Sequence, residues 1–122
     1  MKVRTAACAL VISLVATVAH SQIVPGDPDG KRMMCSTLGL AFHYSAAITD
    51  ESIKTLRSGS HGSFDEDFFN HMKAQSQKKT DMGNTLEHRY GKASTTTQMT
   101  EAKALSQKPL KPMWDMSEKC LN

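Results

Sequence analysis

The chain has 122 residues, 15 Lys+Arg against 12 Asp+Glu, and 39 % apolar residues. That length accommodates one ordinary domain. The charge balance falls to 13 against 12 without Lys2 and Arg4, which leaves no electrostatic case for a nucleic-acid or anionic-membrane partner.

Met1–Ser21 has the order of a secretory signal peptide. Lys2 and Arg4 open it, Ala6–Ala19 is a run of 14 apolar or small residues, and Ala19-His20-Ser21 ends on small side chains. The run is shorter than the roughly 20 apolar residues of a membrane-spanning helix. Cleavage is expected after Ser21, with Ala19 as the alternative. The mature chain, Gln22–Asn122, is then periplasmic or secreted, and not held by a membrane. Cys8 leaves with the leader. The remaining cysteines, Cys35 and Cys120, pair most economically with each other in an oxidising compartment, closing a loop of about 85 residues.

Gln22–Gly30, with two prolines and two glycines, reads as a flexible lead-in. A helix is predicted from Lys31 to about Arg57, because Met34, Cys35, Leu38, Ala41, Phe42, Ser45 and Ile48 recur at steps that share a face. Gly39 weakens it, and Thr49-Asp50 would cap a restart. Ser58–Ser63 reads as a loop. Ser63-Phe64-Asp65-Glu66 is a capping box, so the next helix is expected to begin at Phe64. Its apolar face is Phe64, Phe68 and Met72, with Phe69 alongside. The pattern fades over Lys73–Lys79 and returns at Met82, Leu86 and Tyr90. Either one helix has a polar waist or two break near Thr80–Asn84, and Gly83-Asn84 favours the break. Gly91 is a C-terminal stop. One of Ser94–Thr97 caps a helix bearing Met99, Ala102 and Leu105. Pro109 and Pro112 interrupt it, and Met113–Leu121 forms a last helix with Met113, Met116 and Cys120 on one face.

One Val and three Ile in the mature chain, with no period-2 alternation, argue against a sheet. The expected fold is all-α. Residues 31–122 form a small bundle of three to five helices, with the first central and the N- and C-terminal helices joined by the Cys35–Cys120 disulfide.

No constellation specifies catalysis. Ser58, Ser60 and Ser63 flank His61 in a Gly-containing stretch that is not a strand–helix nucleophile elbow. Asp67 and His71, four apart, are a two-residue match without zinc-site spacing. CxxCH is absent, so covalent haem is not indicated. Neither an enzyme nor a cofactor is expected. Met33, Met34, Met113 and Met116 flank the two cysteines. Such residues fill irregular cores, or they supply thioethers to Cu(I). Phe69 and Met72 are candidates for a partner surface. The reading is a small exported, non-enzymatic protein-binding domain, of interaction or inhibitor type, with an unknown protein partner. The alternatives are a periplasmic stress chaperone and a copper-binding protein using methionines.

Overall fold

A computed structural model describes residues 28–60 and 65–122, and within them four helices and no strand. These are α1 (Pro28–Ser60), α2 (Glu66–Tyr90), α3 (Thr96–Ser106) and α4 (Leu110–Leu121). The signal peptide, the lead-in as far as residue 27, His61 and the Ser63–Phe64 part of the expected capping box lie outside the described residues. No described helix is long and apolar enough to cross a membrane.

α1 begins at Pro28, so the last three residues assigned to the lead-in are helical. Proline suits the first helical turn, where its missing N–H has no partner to lose, and Asp29 suits the positive end of the helix dipole. The helix then runs unbroken for 33 residues through Gly39 and Thr49-Asp50, and Ser58–Ser60 form its end rather than a loop. α2 begins at Glu66, two residues later than expected. Its cap is Asp65, whose Oδ1 accepts from the Phe68 N–H at 2.9 Å. Of the two alternatives for Thr80–Asn84, the single helix with a polar waist is the one observed, and the break that Gly83-Asn84 favoured does not occur. Gly91, at φ 87°, ends the helix as expected, its N–H donating to the Glu87 carbonyl.

The pairing of α1 and α2 explains both interior glycines. Gly39, Phe42, Ala46, Thr49, Ile53 and Leu56 advance by alternating steps of three and four, as do Phe69, Met72, Ser76, Lys79, Gly83 and Leu86. Two such seams meet as antiparallel helices in coiled-coil fashion. The cross-helix bonds keep that register. Ser76 Oγ donates to Asp50 Oδ1 at 2.6 Å, and Lys79 Nζ to Thr49 Oγ1 at 2.8 Å. Glu87 Oε1 lies 3.1 Å from His43 Nε2. At the far end the Arg57 guanidinium forks onto both Glu66 oxygens at 3.0 and 3.1 Å, which holds the Glu66 carboxyl below its usual range. The backbones approach closely at the glycines. A Cβ on Gly83 would stand 2.9 Å from the Gly39 carbonyl oxygen, and one on Gly39 would stand 3.2 Å from the Leu86 Cβ.

The fading of the apolar pattern over Lys73–Lys79 reflects Ser76 and Lys79, which occupy seam positions and are 6 % and 5 % exposed. Burial lowers the Lys79 pKa below 10.5, against a smaller opposing pull from Asp50. In the window between that lowered value and 10.5 the unfolded chain binds more protons than the folded one. Stability therefore rises with pH there, and at neutral pH the desolvation penalty is fully present. Lys79→Met keeps the aliphatic stem and removes the charge. The Thr49 hydroxyl keeps its own bond to the Ser45 carbonyl. Urea unfolding at pH 7 is expected to show unchanged stability or a gain of up to roughly 1 kcal/mol, with the alkaline rise abolished. A clear loss at pH 7 would mean that the Lys79–Thr49 bond outweighs desolvation.

α3 is capped by Thr95 through a reciprocal capping box with Gln98. The same Gln98 reaches across to α1, its Nε2 donating to Ser36 Oγ at 2.8 Å and to the Met33 carbonyl at 3.3 Å. This anchor turns Gln98, Ala102 and Ser106 inward. Met99, expected on the apolar face, is consequently 44 % exposed. α4 starts at Leu110, three residues before the expected Met113, with Pro112 tolerated in its first turn. The Cys35–Cys120 disulfide joins α4 to α1 across Cα atoms 5.9 Å apart. Trp114 packs on Phe42 with ring centroids 4.6 Å apart. The Tyr90 hydroxyl donates to the Cys120 carbonyl, and Arg89 Nη1 donates to that of Leu121 at 2.9 Å. Around the disulfide lies the core: Leu38, Ala41, Phe42, Leu86, Ala102 and Met113.

Candidate interaction surface

The helices differ greatly in length, and that difference creates the site. At 1.5 Å per residue α1 is about 50 Å long and the 11-residue α3 about 16 Å. α2 lines α1 to its far end, as the Arg57–Glu66 pair shows. α3 does not. Its Gln98 sits at Met33 and Ser36, whereas Lys103 and Ser106 line one crevice with Tyr44, Ala47 and Ile48. α3 therefore runs parallel to α1 and ends about halfway along it.

The stripe of α1 that α3 covers continues beyond that end. Leu38, Ala41 and Ser45 are buried, whereas Ile48, the next position at the same spacing, is 47 % exposed. Ile48 was expected on the buried face, and it is exposed because the covering helix stops. A crevice of about 370 Å3 opens here between Tyr44, Ala47 and Ile48 of α1 and Lys103, Ser106 and the C-cap Gln107 at the end of α3. The surface continues along α1 through Glu51, Ser52 and Thr55 to Leu56. Its hydroxyl groups are turned back onto their own helix. Ser52 Oγ donates to the Ile48 carbonyl at 3.0 Å, and Thr55 Oγ1 to that of Glu51 at 2.9 Å. Groups paired in this way can be covered without leaving a donor unsatisfied, so the flank is more apolar than its composition suggests.

The predicted site residues fare unequally. Cys35 and Cys120 are bonded. Phe69 is 3 % exposed and is not a surface residue. It occupies the α1-facing seam, with the Arg57 guanidinium 4.2 Å from its ring centroid. Phe68, assigned to the core, is 36 % exposed instead. The error came from grouping Phe64, Phe68 and Met72 by apolarity, when the true seam passes through polar Ser76 and Lys79. Met72 is half-buried on that seam.

The methionines are also divided. Met113 is 1 % exposed, in the core. Met34 and Met116 line a second crevice of about 270 Å3, beside Thr37, Leu105 and the charged Glu101 and Lys108. Because both neighbouring sulfurs are in the disulfide, no thiolate accompanies these thioethers. Asp67 and His71 are both exposed, and among the described residues no three His, Cys, Asp or Glu side chains converge as a metal site. His43 lies over Gly83 and pairs with Glu87, which ties α1 to α2.

The flank was missed because Tyr44, Ala47 and Ile48 have the same spacing whether α3 covers them or not. No protein-family model, curated protein or solved structure matches this chain.

Proposed function

We propose that this chain is a non-enzymatic protein-binding domain of the periplasm or cell exterior, and that it engages its partner through the uncovered flank of α1 at Tyr44, Ala47 and Ile48. The observation that carries this reading is the interrupted stripe. One apolar helix face is buried as far as Ser45 and then exposed at Ile48, beside a preformed crevice. Support for an oxidising compartment comes from the disulfide together with the leader-like first 21 residues.

The test places a photo-reactive phenylalanine analogue at position 48 in the producing cell, with position 118 on α4 as an exposed control. A discrete adduct from position 48, absent from position 118, is the expected result. No adduct, or the same smear from both positions, would overturn the assignment of the surface.

A further inference from the structure

We propose that the occupant of the α1 flank is a second copy of this chain, docked antiparallel about a two-fold axis at Ala47–Ile48. This inference rests on the flank being the binding surface and adds the identity of what binds it.

Charge placement carries it. Lys103 lines the crevice with Tyr44, Ala47 and Ile48, at the end of the exposed surface where α3 stops. Glu51 stands at the other side of Ala47 and Ile48. Tyr44 and Glu51 are seven residues apart on α1, about 10 Å along its axis. A two-fold axis between positions 47 and 48 brings position 44 of one copy opposite position 51 of the other. Lys103 and Tyr44 of each copy then face Glu51 of its mate. The symmetry forms this contact twice, as an isologous interface requires. Ala47 and Ile48 of the two copies meet at the centre, where the small Ala47 side chain leaves room for Ile48.

Three further observations agree. Among the described residues the one ion pair of Glu51 is an exposed one, with Lys54 at 3.8 Å, and such pairs contribute little, so little is lost when Glu51 turns to a new cation. Among the described residues Lys103 forms no ion pair within the chain. The near-zero charge of the chain without its leader adds no strong repulsion between copies.

The experiment is sedimentation equilibrium of the mature, oxidised protein over a wide concentration range. The expected result is a reversible monomer–dimer equilibrium. Ile48→Glu, an exchange at a half-exposed position, shifts it to monomer while the helical circular-dichroism spectrum is retained. Glu51→Lys and Lys103→Glu, each alone, weaken association about tenfold or more by setting like charges together. The double exchange restores it. A monomer at every concentration would overturn the proposal. So would a dimer that survives Ile48→Glu, or one in which the double exchange is no better than the singles. The flank assignment fails separately. A strict monomer that still yields a position-48 adduct with a different protein overturns self-docking and leaves the binding surface standing. A strict monomer without any adduct overturns both.

Discussion

Replacing Cys35 and Cys120 together by alanine is expected to lower the unfolding free energy by about 2–5 kcal/mol. The bond joins positions 85 residues apart and so constrains most of the described chain in its unfolded state. The chain-entropy model places that constraint near 4.6 kcal/mol at 25 °C, out of a typical total of about 5–15 kcal/mol. The native contacts of α4 show why the loss would be felt locally as well. Beyond the disulfide, α4 is held by Trp114 on Phe42, by buried Met113 and Ser117, and by Tyr90 and Arg89 bonding to its last carbonyls. Most of these belong to a 12-residue helix, too short to be stable on its own. Urea unfolding of the double variant, followed by circular dichroism and by Trp114 fluorescence, should show a lower midpoint, with the Trp114 signal changing no later than the helical one. An unchanged midpoint would show that the bond is incidental to stability.

Gly83→Ala is expected to destabilise by about 1–3 kcal/mol, the usual cost of overpacking a close contact. The sign opposes intrinsic propensity, since alanine in a helix interior is favoured over glycine by about 1 kcal/mol. The reason lies across the interface. The new Cβ would stand 2.8 Å from the His43 ring and 2.9 Å from the Gly39 carbonyl oxygen. The ring could swing away, at the cost of its pairing with Glu87. The carbonyl belongs to the backbone of α1 and cannot move without opening the helix pair. Thermal melting of Gly83→Ala beside Gly59→Ala separates the two effects. Gly59 has nothing within 4 Å of an added Cβ, so its alanine variant should be neutral or slightly more stable. If Gly83→Ala were equally harmless, α1 and α2 would not be in close contact at these glycines.

Much of the architecture was legible because it depends on chemistry local to the chain. The scarcity of strand formers, the helical spacing along α1, the stop at Gly91 and the cap before α3 are short-range signals, and each appears where expected. The disulfide was legible because only two cysteines remain beyond the leader-like segment. The errors share one origin. Phe68 and Phe69 were exchanged, Gly83 was taken to favour a break, and the buried face was taken to fade over Lys73–Lys79, because apolarity served as the guide to the buried face. In α2 that face is defined by what α1 places opposite it. Asp50 and Thr49 admit Ser76 and Lys79, and the Gly39 backbone excludes any side chain at position 83.

The amino-acid sequence by itself determined an all-helical chain with a central first helix and paired end cysteines, since helix propensity, capping and cysteine count act without reference to distant residues. Only the tertiary structure decided which faces are covered. Ile48 and Ser45 lie on the same stripe, but one is half-exposed and the other buried. The difference is that α3, anchored by Gln98 at the start of α1, is too short to reach past Ile48. Exposure depends on how far a neighbouring helix extends, and nothing in the residues flanking Ile48 encodes that length.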